Sequence, residues 1–117
     1  MIVLVGHDTN LANIGGMLGL HWRLPTYLPD ETPPAGAMAF ELLRETASGH
    51  YFVRLAYYAQ TLDQMRRATR LGLANPPDRA AIAFPGCADA RQGNACAWAD
   101  FDARVKKAID RDCIPRP

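Results

Sequence analysis

Long apolar runs are missing from this chain: none approaches the roughly 18 residues of a membrane-spanning helix, and no charged segment leading into an apolar one opens it. A soluble protein carrying no address of its own is expected. An excess of either charge is missing too, because 13 basic residues face 12 acidic ones and leave a formal charge of +1. That balance removes any global electrostatic case for nucleic acid, an anionic membrane or a polyacidic partner, so affinity for phosphate must be local. Histidine is confined to His7, His21 and His50, and no cysteine or carboxylate spacing around the last two suggests a metal-ligand set. Surface or packing roles are expected for both. Cysteine is sparse and odd in number. Cys87 and Cys96, with Gly86 and Gly93 in or beside the intervening loop, suit a local disulfide better than a zinc site, which three thiolates do not fill, and Cys113 is left over. Three reduced, buried cysteines remain the alternative that composition allows. Internal repeats, low-complexity tracts and a second domain boundary are also absent. With 117 residues, 49% of them hydrophobic, the chain has material for one modest core, and residues 1–117 are expected to form a single domain.

What is present is concentrated at the beginning. The run Met1-Ile2-Val3-Leu4-Val5 breaks at Gly6 and is followed at once by His7, Asp8, Thr9 and Asn10. A short Ile- and Val-rich run, a turn and then a helical pattern predict strand, loop and helix, and sheet proteins often place their chemistry at such carboxyl ends of strands. His7 and Asp8 are therefore the leading site candidates, against the alternative that Asp8 or Thr9 caps the helix while His7 fills a turn. Because the first residue already belongs to a strand-like run, whereas intact domains usually begin with a few loosely held residues, the chain is expected to be a piece of a longer protein.

Further along, Leu11, Ile14, Met17 and Leu18 share one helical face, and Gly19 is placed to end that helix in a left-handed cap. Gly15 and Gly16 inside it should each cost about 1 kcal/mol relative to Ala, which points to close packing against the sheet. Residues 22–36, with Pro25, Pro29, Pro33, Pro34 and Gly36, predict a long stiff loop that either lines a site or packs across a sheet edge. Alternation over 38–43 and again over 51–57, with Ser48-Gly49 between, predicts an antiparallel hairpin. Thr61 and Gln64 form a capping box for a helix expected to run to about Thr69, with Arg66, Arg67 and Arg70 on a solvated face. Residues 81–84 predict a last strand. A final helix should put Phe101, Val105 and Ile109 on one face and Asp102 one turn ahead of Lys106.

The ordered set Gly6-His7-Asp8-Thr9-Asn10-Leu11-Ala12-Asn13-Ile14-Gly15-Gly16, Trp22-Arg23-Leu24-Pro25 and Pro29 to Gly36 resembles the histidine acid phosphatase family. The similarity is to the carboxyl-terminal part of its periplasmic bacterial members, the branch with phytases and glucose-1-phosphatases. It continues through Gln60-Thr61-Leu62, Asn75-Pro76-Pro77, Pro85-Gly86-Cys87, Cys96 and Cys113. The resemblance implies an α/β fold class: the carboxyl-terminal part of a histidine-phosphatase-like domain, a strand–helix unit followed by an antiparallel hairpin and two further helices. It implies hydrolysis of phosphomonoesters through a phosphohistidine, with Asp8 as proton donor and His7 steadying the phosphate. Proton donation requires Asp8 to be protonated with substrate bound, which favours an acidic working range because an ordinary carboxyl group is ionised at neutral pH. Thr9 and Asn10 are expected to cap the helix or to touch substrate, Thr9 being the substrate-binding candidate. No metal or other cofactor is implied, since imidazole and guanidinium groups can do the electrostatic work.

One departure matters as much as the match. The family's Arg-His-Gly-x-Arg-x-Pro segment, source of the histidine that becomes phosphorylated, has no counterpart here. The chain is thus expected to hold the proton-donor half of a site, to be inactive alone, and to need the missing amino-terminal part of the same protein. A non-catalytic module that binds phosphate or a partner chain is the alternative, and an uncovered strand edge would invite self-association. The resemblance also implies that Cys87 and Cys96 are bridged, that Cys113 is unpaired or bonded to the missing part, and that the setting is periplasmic or secreted.

Overall fold

The alternation in the middle of the chain decides the architecture. In a computed structural model describing residues 1–87 and 93–114, β1 (Ala37–Arg44) and β2 (Tyr51–Ala59) pair antiparallel. Register sets Met38, Phe40 and Leu42 opposite Tyr57, Leu55 and Val53, so the apolar positions of both strands share one face. The connecting turn closes through Glu45 N–H to His50 O at 2.8 Å, with Gly49 at φ 76°. Only glycine takes that backbone conformation without steric penalty. β3 (Asp78–Ile82) pairs antiparallel with the other side of β2, and the two-residue β4 (Cys96–Ala97) meets β2 at Val53 and Phe52. The sheet order is β1-β2-β3, with β4 also on β2.

Two helices and a loop cover the apolar face over β2 and leave Phe40 and Leu42 of β1 exposed. α1 (Asp8–Leu18) ends at Gly19, whose φ of 63° is the expected left-handed cap. The chain then alternates outward and inward, burying Leu20, Trp22 and Leu24 against Val53, Leu55, Tyr57, Ile82 and Phe84. Trp22 stacks on Tyr57 with ring centroids 4.7 Å apart. Burial of each aliphatic side chain in this cluster contributes about 1.5–3 kcal/mol. α3 (Trp98–Ala108) brings Phe101 onto Phe84 and Phe40, and Lys106 meets Asp102 at 2.6 Å on its solvent side. A bond between Cys87 and Cys96 closes the loop ahead of α3. Residues 88–92 of that loop lie outside the described set. Cys113 is exposed and free.

Several boundaries differ from the sequence reading. The opening run forms no strand: Met1–Val5 pair with nothing among the described residues and are exposed, Val3 least at 68%. Its composition carries the apolarity of a strand, but a strand exists only where a neighbour accepts its ladder bonds. Gly15 does pack closely, though against Trp22 rather than the sheet, since a Cβ there would lie 3.0 Å from the indole; Gly16 has open space. The Thr61 capping box forms as expected, with Gln64 N–H on Thr61 Oγ1 at 3.0 Å and Thr61 N–H on Gln64 Oε1 at 2.9 Å. Its helix α2 (Leu62–Arg66) is nevertheless short: Ala68 turns to the left-handed φ of 47°, and the N–H groups of Ala68 and Thr69 close on Met65 O and Gln64 O. The last predicted strand begins at Asp78 and ends at Ile82, leaving Phe84 buried beyond it. β4 was not foreseen.

Candidate functional site

α1 starts at the residue that sequence reasoning singled out. His7 occupies the N-cap with extended backbone (φ −109°, ψ 169°) and Asp8 is the first helical residue, a position where a carboxylate meets the partial positive end of the helix. Ser, Thr, Asp and Asn are the side chains that stabilise an N-cap, typically by about 1 kcal/mol over others. An imidazole stands there instead. The helix start is secured by Asn10, whose Oδ1 accepts the His7 N–H at 2.8 Å while its own N–H donates to His7 O at 3.0 Å. Thr9 turns back on its neighbour, its N–H reaching Asp8 Oδ1 at 2.8 Å and its hydroxyl the same oxygen at 3.3 Å.

Both His7 and Asp8 are exposed, side by side at the mouth of α1 and just after the unpaired run. This corrects the alternative in which Asp8 or Thr9 is the cap. The bonds of the first turn also bear on how it meets an anion. Thr9 N–H is held by Asp8, and Asn10 N–H and Leu11 N–H both turn to His7 O, so these amides are engaged within the chain. Three amides at this end are therefore occupied, and the side chains of His7 and Asp8 stand exposed beside them. Thr9 is engaged with Asp8, while its hydroxyl retains acceptor capacity.

A concave feature of the surface lies elsewhere. An open cleft of about 250 Å³ is bounded by Gly15, Gly16 and Gly19 of α1 and by His21, Trp22 and Asp30, and it includes neither His7 nor Asp8. At its rim His21 Nδ1 meets Asp30 Oδ2 at 2.7 Å, and Asp30 Oδ1 accepts Trp22 N–H at 2.9 Å. The His21 hydrogen bond is the main cause holding the Asp30 carboxyl below its ordinary pKa; burial opposes it, and the Trp22 N–H and the His21 charge add to it. Asp30 adopts φ 60°, a left-handed backbone tolerated best by Asn and Asp among residues with side chains. This pair went unnoticed in the sequence, where eight residues of loop lie between its members. His50 sits in the hairpin turn, its N–H on Ser48 Oγ at 3.2 Å. Among the described residues, no three His, Cys, Asp or Glu side chains converge as a metal site.

Tyr57 is the one buried polar side chain among the described residues whose oxygen lacks a hydrogen-bond partner. Burial, and then Tyr27, pushes its hydroxyl pKa up. A Cβ at Gly36 would lie 2.4 Å from that oxygen, so Gly36 lets the proline-rich loop close over the ring.

With this geometry in place, likeness to known proteins becomes specific. Residues 1–58 match the family model described as histidine phosphatase superfamily (branch 2). The chain is 39% identical to phytase AppA of Escherichia coli over 92% of its own length and 25% of that protein's. It is 28% identical to the glucose-1-phosphatase of Providencia rettgeri, over 94% of this chain and 26% of the relative. Among solved structures, Hafnia alvei phytase in complex with myo-inositol hexakis sulphate superposes with a TM-score of 0.84 at 38% identity, over 94% of this chain and 27% of that one. The chain thus spans about a quarter of the length of the relatives it matches. A family model over the His7–Asp8 segment and the hairpin, with a shared fold over nearly all of the chain, places this protein in branch 2 of the histidine phosphatase superfamily, as the counterpart of the carboxyl-terminal part of its phytases and glucose-1-phosphatases.

Proposed function

We propose that this chain supplies the proton-donor half of an acid phosphatase site acting on phosphomonoesters, phytase-like in substrate class. The observation that carries the reading is the exposed pair His7 and Asp8 at the start of α1, with Asp8 Oδ1 already occupied by Thr9. Asp8 Oδ2 is then the oxygen left to carry a proton. In the reaction a histidine nitrogen from outside this chain attacks phosphorus as the bond to the alcohol oxygen breaks. Asp8 gives its proton to that oxygen, and His7 donates a hydrogen bond to a phosphate oxygen. Water then cleaves the phosphohistidine. General acid catalysis of this kind is worth a factor of about 10² to 10⁴. His21 and His50 are poor candidates for the nucleophile, one tied to Asp30 at the far end of α1 and the other in the hairpin turn.

The partner in this reading is the segment that supplies the nucleophile, corresponding to the amino-terminal part of the relatives. Met1–Val5 are the natural place for it to dock as a neighbouring strand, because their backbone has no ladder partner among the described residues and their side chains are exposed. A second copy of the chain competes for the same edge. A periplasmic or secreted setting is favoured by the Cys87–Cys96 bond and by the bacterial relatives, and Cys113, free and exposed, is available for a bond to the partner segment. The second reading, a non-catalytic phosphate- or partner-binding unit, draws its support from the missing nucleophile.

The test is turnover of a simple phosphomonoester at about pH 5. The chain alone should be inactive, and mixing with the amino-terminal segment of a related phytase should restore activity that Asp8→Asn abolishes. Turnover by the chain alone overturns the half-site assignment, and phosphate binding without turnover in an assembled mixture favours the second reading.

A further inference from the structure

We infer that Asn10, seated against Gly6, is a positioning residue that fixes the backbone of His7 and so the direction in which His7 and Asp8 are presented; this rests on the proposed role of that pair. Asn10 bonds both polar backbone groups of His7, and the more distant Leu11 N–H shares the carbonyl at 3.5 Å. Its N–H donates to Asn10 Oδ1 at 2.8 Å, and its carbonyl accepts the Asn10 N–H at 3.0 Å. The residue before the site is shaped for the same contact. A Cβ on Gly6 would lie 2.8 Å from Asn10 Oδ1, so the Asn10 amide would have to shift, and 3.2 Å from its Cγ, a tight contact. Gly6 does not occupy the left-handed region that glycine alone enters freely, so what its missing side chain provides is room for the Asn10 amide.

The choice of amide has an electrostatic reason. Reciprocal capping at this helix position is commonly made by Glu or Gln. A carboxylate here would put negative charge beside the position where His7 and Asp8 are proposed to meet a phosphate. Asn accepts the hydrogen bond without that charge. The interlock also sets an angle: with His7 extended at φ −109° and Asp8 already helical, the chain turns sharply between them, and the two side chains leave the same corner. Misplacement of a reacting group by an ångström typically costs about a hundredfold in rate, so a lock on the His7 backbone is felt at the reacting atoms.

The test compares Gly6→Ala, Asn10→Ala, their double variant and Asn10→Gln by amide hydrogen exchange in the 117-residue chain. Asn10→Ala is expected to raise exchange at the His7 amide by about tenfold or more while residues 12–18 keep their protection, with Asn10→Gln recovering most of the loss. Gly6→Ala should match Asn10→Ala, and the double variant should be no worse than either, since both break one contact. Mixed with the amino-terminal segment of a related phytase, Asn10→Ala should lower kcat about ten- to a hundredfold with little change in KM. Unchanged His7 exchange in Asn10→Ala, strict additivity with Gly6→Ala, or loss of all of α1 in both Asn10 variants would each overturn the inference. Asp8→Asn separates the two levels. If it leaves turnover intact, the catalytic reading fails while the exchange data still judge the interlock; if it abolishes turnover and Asn10→Ala changes neither kcat nor exchange, the interlock fails alone.

Discussion

The center of the sheet and the amino-terminal corner are built on opposite terms. β2 is paired on both sides, and its inward residues Val53, Leu55, Tyr57 and Ala59 are buried under Trp22, Leu24 and Phe84. The corner holding His7 and Asp8 is exposed, follows five apolar residues with no ladder partner, and is kept in shape by hydrogen bonds within four residues. The first region obtains its structure from tertiary packing; the second from a local cap. A chain organised this way can hold its core while presenting exposed titratable side chains at a locally secured corner, and the two regions should respond independently to substitution.

The largest expected effect lies in the core. Trp22→Ala should cost about 3–5 kcal/mol and Leu55→Ala about 2–5 kcal/mol in chemical denaturation, whereas Leu4→Ala should stay within about 0.5 kcal/mol. A costly Leu4→Ala would mean that the opening run packs in solution and that the contrast is overstated. Next comes the Cys87–Cys96 bond, which closes a loop with a sequence separation of 9. Replacing both cysteines by Ser should lower stability by about 2–3 kcal/mol on the loop-entropy estimate.

The His21–Asp30 pair is expected to contribute less, under about 1 kcal/mol, because both side chains are substantially exposed and water screens the interaction. Its sign is fixed by linkage. The folded Asp30 pKa lies below the ordinary carboxyl value, so its contribution is fully present above the unfolded value of 3.8 and is lost as pH falls through the depressed one. The difference in melting temperature between the protein and Asp30→Asn should therefore be present at about pH 5 and shrink as the pH falls below about 4. A difference that grows on acidification would contradict the assignment. Smallest of all, Arg66→Ala should be nearly silent, since Arg66 meets Asp63 only at 3.8 Å across an exposed face.

The features legible in the sequence were those encoded locally. Alternation over β1 and β2, the glycine at the end of α1 and the Thr61–Gln64 box each act within a few residues, and each appears where expected. What escaped depends on distant partners. Gln64 carries its side chain across to Pro76 O at the end of α2, and β3 sets Arg79 opposite Tyr58, to whose hydroxyl it donates at 2.9 Å. β4 is two residues long and gains its place beside β2 next to the Cys87–Cys96 bond, with no periodicity to announce it. At the site, His7 and Asp8 stood out as titratable groups after an apolar run, but the reciprocal hold of Asn10 on His7 became visible only with coordinates. The signal available beforehand was the spacing of Gly6 and Asn10 around an N-cap.

Proton donation by Asp8 is the claim on which the functional account turns, and leaving-group dependence tests it most directly. In the assembled protein, Asp8→Asn should slow hydrolysis of an alkyl phosphate by about 10² to 10⁴, while a nitrophenyl phosphate, whose leaving oxygen needs little protonation, should lose far less. Equal losses on both substrates, or no loss on either, would contradict it.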